Sequence, residues 1–350
     1  MSIPKVSFEE TLGKSVLPAN CIGCASCVVV CPFKCLEYSK EEPKLVSDCK
    51  TCGICAQTCP RYTSFIPDLE RFVFNRERKS SEEFGIYRRI VIAQTTNDEI
   101  LKRCQDGGAV TTLLIYALEN RLIEGAAVAG VSDKEPLKAI PQLATTVDEL
   151  LECAGTRYTY SPNIIAFDKG IQQKKKNLAF VGTPCQIELI RKIQAVPLKK
   201  YSEALRVAIG VFCSECFTYE GFVTKLIQKK MGIDPGQVKK INIKGKILVT
   251  AKSGEVKTAP LKDAKEYVRK CLHSCTDFSG ELADISVGGL GLDGWTLTIL
   301  RTEKGEELFR KAESAGMIRT RPLEKEDEPI LDMLMRFSKK KRENATKSGG

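Results

Sequence analysis

The run Cys21-x2-Cys24-x2-Cys27-x3-Cys31-Pro32 recurs as Cys49-x2-Cys52-x2-Cys55-x3-Cys59-Pro60. Of the 16 cysteines in the chain, nine fall between Cys21 and Cys59. A stretch so rich in thiols and prolines is organised by cross-links or by bound metal rather than by an apolar core of its own. Disulfides suit short secreted chains. This chain has 350 residues, and its first 20 hold no apolar signal core, so metal ligation in a reducing, cytoplasmic setting is expected. Zinc sites use CxxC pairs or Cys/His mixtures, not two four-cysteine runs each closed by proline. There is a single His, which also removes His-triad chemistry.

The spacing matches the C-x2-C-x2-C-x3-C-P pattern of bacterial two-cluster ferredoxins, in which the fourth cysteine of each run serves the other cluster. Thiolates two residues apart in a tight loop reach three corners of one cubane, and the fourth leaves at a different angle. The expected ligand sets are therefore Cys21, Cys24, Cys27 and Cys59 on one [4Fe-4S] cluster, and Cys49, Cys52, Cys55 and Cys31 on the other. Cys35 reads as a packing residue. Two such clusters move single electrons and cannot accept a hydride, so the remaining residues need another task.

Three regions separate along the chain: a ferredoxin-like domain over 1–75, a charged linker or packed arm over 76–89, and an α/β (α+β) core over 90–350. In the core, β-branched runs such as RIVIAQ, GAAVAGV, NLAFVG and LRVAIGVF read as buried strands. They alternate with helical patterns such as GAVTTLLIYALENR and CQIELIRKIQ. The segment VKKINIKGKILVTAKSGEVKTAPL reads as strand–turn–strand. The tail ILDMLMRFSKKKRENATKSGG reads as one amphipathic helix with a basic, solvated end. No apolar run approaches the roughly 18 residues of a membrane span, so membrane contact is at most peripheral and through a partner. The net charge of +10 favours an acidic ligand or partner. Lys and Arg are scattered without an aromatic-interleaved motif, which disfavours nucleic acid.

Seven cysteines remain: Cys104, Cys153, Cys185, Cys213, Cys216, Cys271 and Cys275. Cys185 and Cys213 follow predicted strands, and Cys271 and Cys275 flank His273 in CLHSCTDF. Strand ends of a parallel sheet converge on one edge, so a third cluster and a set of buried free cysteines both fit. His273 reads as a polar neighbour. Gly107-Gly108 opens a helical pattern, an arrangement suited to a phosphate or to a simple tight turn. No G-x-G-x-x-G follows a strand, which disfavours a nicotinamide dinucleotide.

Gln105-Asp106-Gly107-Gly108-Ala109, CAGTRYTYSPN, VGTPCQ, GVFCSE and CLHSCTDFSGELADISVGGLG-x-DGW occur in this order between residues 90 and about 305. Together they resemble the beta-subunit family of coenzyme F420 hydrogenases and dehydrogenases. With the cysteine runs in front, the layout is most similar to the ferredoxin-fused electron-input subunit of the F420H2 dehydrogenase complex of methanogenic archaea. The resemblance implies a non-covalent FAD, a third [4Fe-4S] cluster and a docking face for coenzyme F420. Carried over by motif, FAD contacts fall on Gln105, Asp106, Gly107, Gly108, Ala109, Val110 and Thr111. A second group falls on Thr156, Arg157, Tyr158, Thr159, Tyr160, Ser161, Pro162 and Asn163. The core cluster falls on Cys185, Cys213, Cys271 and Cys275. Cys216 competes with Cys213, while Cys104 and Cys153 read as packing residues.

The resemblance implies oxidation of reduced F420 by hydride transfer to FAD, with no catalytic acid or base. Single electrons then leave through the clusters to a redox partner complex or a ferredoxin, reversibly. The alternatives within the family are an F420-reducing beta subunit of a hydrogenase or formate dehydrogenase, and a ferredoxin-dependent, chlorophyll-reductase-like enzyme. Outside it stands an iron–sulfur carrier or scaffold without a substrate.

Overall fold

The computed structural model describes residues 4–63, 65–196 and 198–348. The N-terminal cysteine runs surround two short helices, Ser26–Val29 and Ile54–Thr58, and a hairpin of β1 (Leu36–Ser39) and β2 (Glu42–Leu45). Beyond them lies the core sheet. Its strands are β3 (Arg89–Thr95), β4 (Gly125–Val131), β5 (Ala139–Ala144), β6 (Leu178–Gly182), β7 (Leu205–Val211), β11 (Ile285–Gly288), β12 (Thr296–Leu300) and β13 (Ile318–Arg321). They are ordered β13-β3-β12-β11-β7-β6-β4-β5. Neighbours within β11-β7-β6-β4 are parallel and every other pair is antiparallel, so β3 also runs in the direction of the parallel block. A second sheet of β8 (Val238–Ile243), β9 (Lys246–Ala251) and β10 (Val256–Pro260) is antiparallel and packs with helix Glu220–Lys230.

The large sheet is buried on both faces, which is why its central strands are continuous apolar runs rather than alternating ones. The two-residue period of a strand divides them: Ala179, Val181, Val207 and Ile209 meet helices Ala109–Glu119 and Glu303–Ser314. Phe180, Leu178 and Ala208 face helices Ile164–Gln172 and Pro184–Ala195. The N-terminal unit joins this second layer, where Ile22, Cys24, Ala25 and Val30 share one core with it. Tyr201 fastens the contact by donating to the Val29 carbonyl at 2.9 Å and contacting Asp168 at 2.9 Å.

Residues 76–89 lie against the core. Phe84 and Ile86 are buried, Arg78 pairs with Glu70 and Glu281, and Arg301 donates to the Ile86 carbonyl. The C-terminal helix Glu328–Ser348 differs from the solvated end expected of it. Lys341 is buried and Arg342 contacts Glu281 at 2.6 Å, because the helix packs Leu334 and Phe337 into one core with Phe278 and Ile92. Among the described residues no helix is long and apolar enough to cross a membrane.

Asp284 ties these layers together. It accepts the Ala208 N–H at 2.7 Å and the Thr302 hydroxyl at 2.7 Å, and pairs with Arg191 at 3.0 Å. Burial opposes its charge, yet Arg191 and Lys304 hold its carboxyl below the usual range. Replacing Asp284 by Ala strands a buried guanidinium, and about 3–5 kcal/mol of stability is expected to be lost in chemical denaturation. The depressed carboxyl stabilises the fold above its unfolded pKa, and that contribution should disappear as pH falls through the folded value.

Candidate functional site

The two N-terminal runs fold as matching copies. Gly23 and Gly53 take positive φ, +63° and +70°, and an added Cβ would meet the Glu41 and Pro4 carbonyl oxygens at 2.4 and 2.1 Å. Glycine therefore lets each loop fold back tightly over its thiols. The thiols lie in two adjacent groups. Burial pushes Cys21 up to about 11 and raises Cys24 and Cys27, and Cys59 adds repulsion to all three. Burial likewise pushes Cys55 up to about 12, with Cys52, Cys49 and Cys31 adding. One cavity is lined by Cys31, Cys49, Cys52 and Cys55 together with Cys35, whose Sγ is 3.3 Å from that of Cys31. A buried thiol cluster resists ionisation alone and gives up its protons to a metal.

In the core, the parallel block points β6 into Thr183-Pro184-Cys185 and β7 into Phe212-Cys213, so both turns open on one edge. Cys185 is the second residue of helix Pro184–Ala195, where free amides favour a thiolate. Against this, burial and then Cys275 push its thiol up to about 11. Cys271 lies within the short turn Lys270–Ser274, and Cys275 caps its end. The Arg269 N–H donates to the Cys216 carbonyl at 3.0 Å, which draws Cys216 beside Cys271. Five thiols thus converge where four were expected: Cys185, Cys213, Cys216, Cys271 and Cys275 stand within electrostatic reach of one another. His273 is exposed. Among the described residues no three His, Cys, Asp or Glu side chains close around one ion. The four ligands of a cubane each meet a different iron and need no common centre, unlike those of zinc.

The glycine pair sits on the same edge. Gly107 donates to the Thr296 hydroxyl at 3.0 Å and accepts the Thr95 N–H at 2.7 Å. Gly108, at φ +75°, precedes helix Ala109–Glu119, leaving the first amides of Ala109, Val110 and Thr111 at its open end. Gln105 and Asp106 are committed to holding the loop: the Gln105 amide donates to the Ile241 carbonyl at 3.2 Å, and Asp106 fills the space left by Gly289. Lys240 donates to the Cys104 and Gln105 carbonyls, fixing the small sheet over this turn. Cys104 donates to the Asp106 carbonyl at 2.8 Å, and Cys153 is half-buried beside Arg157.

The segment Thr156–Asn163 divides. Arg157 donates to the Ala154 and Glu152 carbonyls, and its enclosed Nε has no partner. Burial lowers its pKa, opposed by Cys153 alone, so this guanidinium has no carboxylate beside it. Tyr158 stands within electrostatic reach of Asp106 and packs on Phe222. Tyr160 instead faces the thiols: it is buried near Cys185 and Cys24, with Arg269 over its ring at 4.1 Å and no partner for its hydroxyl. Thr159 accepts the Ala139 N–H, while Ser161 and Asn163 bond each other and Asn163 donates to the Val181 carbonyl. Pro162 is buried with them.

Arg61, Lys192 and Arg269 belong to no motif in the sequence, yet they lie between the core thiols and Cys21, Cys24 and Cys59. One signal points to Lys192: Cys185, Glu188 and Lys192 recur at three- and four-residue spacing on one helix face.

Residues 90–167 match the family described as coenzyme F420 hydrogenase/dehydrogenase, beta subunit N-term, and residues 175–326 match its C terminus. The chain belongs to the coenzyme F420 hydrogenase/dehydrogenase beta-subunit family. Within it, the chain is 39% identical to coenzyme F420 hydrogenase subunit beta of Methanococcus voltae, over 75% of this chain and 94% of that one. It is 30% identical to a subunit of the F(420)H(2) dehydrogenase of Methanosarcina mazei, over 83% and 81%. It is 33% identical to the coenzyme F420-dependent sulfite reductase of Methanocaldococcus jannaschii, over 96% of this chain and 53% of that one. A chain of the F420-reducing [NiFe] hydrogenase complex from Methanosarcina barkeri superposes with a TM-score of 0.73 at 34% identity, covering 77% of this chain and 94% of that one. The large mixed sheet is thus a fold shared with this family.

The glycine pair gives a prediction that needs no ligand. A Cβ at Gly107 would meet the Ala93 carbonyl oxygen at 2.4 Å, so Gly107→Ala must displace β3 from β12. A loss of about 1–3 kcal/mol is expected in urea denaturation. Unchanged stability would mean that the loop is not held as described.

Proposed function

We propose that the chain oxidises reduced coenzyme F420 at a FAD held on the open edge of the large sheet. Electrons then leave singly, through [4Fe-4S] clusters on its three cysteine groups, to a redox partner complex or a ferredoxin; the flow is reversible. The observation that carries this reading is the short segment Tyr158–Tyr160. Tyr158 lies within electrostatic reach of Asp106, next to the glycine turn in sequence, and Tyr160 is buried within reach of Cys185 and Cys24. One extended stretch therefore joins the proposed flavin seat, the core thiols and the nearer N-terminal group.

A bound flavin supplies the one conversion the rest cannot make, taking two electrons as hydride and releasing them one at a time. The chain's own part is to seat and orient. The open amides of helix Ala109–Glu119 and the uncompensated Arg157 suit the phosphates. Lys240 donates to the carbonyls of the glycine turn, while Lys244 is paired with Asp293. No side chain is needed as acid or base for the hydride. In the core group, Cys185, Cys213, Cys271 and Cys275 are the assigned ligands, with Cys216 next to them.

The relatives support a fused layout. The matches to the F(420)H(2) dehydrogenase protein and the sulfite reductase cover 83% and 96% of the chain, beyond the family region at 90–326. Because the sulfite reductase is matched over only 53% of its length, a second reading is a module that delivers electrons from F420 to a reductase.

Anaerobically purified protein should contain FAD and about 12 irons per chain, the content of three cubanes. Cys185→Ser should remove about four irons and leave the two N-terminal cluster signals. Wild-type iron content in a folded variant would refute the core assignment. Cys216→Ser should retain all the iron, and a loss there would move the ligand from Cys213 to Cys216.

A further inference from the structure

Three cations occupy the gap between the core thiols and the Cys21, Cys24, Cys27 and Cys59 group. The Arg61 backbone N–H donates to the Cys59 sulfur at 3.4 Å, and its Nη1 donates to the Ser274 carbonyl at 3.1 Å, beside Cys275. One residue therefore touches both groups. Lys192, 7% exposed, donates to the Cys59 and Thr63 carbonyls. Arg269, 9% exposed, lies over Tyr160 and near Cys271 and Cys216. Arg61 Nε, Arg269 Nη1 and the Tyr160 hydroxyl are all enclosed without a partner.

The facing carboxylates are Glu188, beside Arg61 and Lys192, and Glu41, 3.4 Å from Arg269. Positive charge exceeds negative in this enclosed gap. Such an excess is costly unless an anion lies against it. Two cubanes, each held by four thiolates, are such anions, and the unpartnered donors point to sulfur acceptors.

We propose that Arg61, completed by Lys192 and Arg269, is a positioning residue of a cationic bridge. This bridge raises the potentials of the core site and the Cys21/Cys24/Cys27/Cys59 site and makes that pair the first step out of the core. The inference rests on the cluster reading above. A cation beside an iron–sulfur site stabilises its reduced, more negative form. In the step itself one electron leaves the core site, which is oxidised by one. The same electron reduces the N-terminal site, with no proton or group moving. The Cys31/Cys49/Cys52/Cys55 site lies beyond and receives the electron next.

The test is an EPR-monitored redox titration of the full chain, anaerobically reconstituted, as wild type, Arg61→Lys and Arg61→Gln. In Arg61→Gln the oxidised-to-reduced ratio of the two bridged sites at a fixed potential should rise about tenfold, which is about 59 mV for one electron. The Cys31/Cys49/Cys52/Cys55 site should not move, and Arg61→Lys should stay close to wild type. Unmoved potentials in iron-replete Arg61→Gln overturn the bridge while leaving the cluster reading intact. If Arg61→Gln fails to hold its iron, Arg61→Lys decides: retention at wild-type potentials upholds a role of charge, and loss in both overturns it. A wild-type chain without cubane signals overturns the cluster reading first.

Discussion

Helix Pro184–Ala195 carries Cys185 at its start, and one turn and two turns later Glu188 and Lys192 on the same face. Lys192 grips the backbone at Cys59 and Thr63, while Arg61 returns from that side to Ser274. This reciprocal grip of a buried lysine and a half-buried arginine is what the remaining arrangement depends on, because it sets thiols from sequence-distant segments side by side in an enclosed space. Burial raises the pKa of Cys24 and Cys213 there, and a bound metal would offset that cost by accepting thiolates.

The sheet makes the grip possible. With β3, β4, β6, β7 and β11 running one way, the turns after β6 and β7, the glycine turn beside β3 and the loop after β11 all open on one edge. From the opposite end of β11, Asp284 joins β7 to helix Pro184–Ala195 and to Thr302. The second antiparallel sheet then closes over the glycine turn through Lys240 and Gln105. The proposed flavin seat and the core thiols thereby fall on neighbouring parts of a single edge.

Much of this is legible in the chain. The doubled cysteine runs stand out by their spacing alone, and the apolar runs of β3, β4, β6 and β7 stand where continuous burial demands them. Strands β5, β11, β12 and β13 are less visible, being short and lacking a distinct period. Cys216 cannot be separated from Cys213 by spacing, since only the tertiary bond from Arg269 to its carbonyl brings it in. Arg61 and Arg269 look like ordinary members of a set of 54 basic residues, and the place of Arg61 is set by a contact across more than 200 positions. The basic tail reads as solvated because its packing partners, Phe278 and Glu281, lie in another region.

The central claim is that hydride enters at the flavin seat and that electrons reach the cysteine groups only through it. Anaerobic stopped-flow mixing of the holoprotein with reduced F420, compared with the same protein stripped of flavin and retaining its iron, tests this most directly. The account predicts flavin bleaching first and iron–sulfur bleaching after it in the holoprotein, with no iron–sulfur bleaching in the stripped form. Iron–sulfur reduction at an undiminished rate without flavin would contradict it.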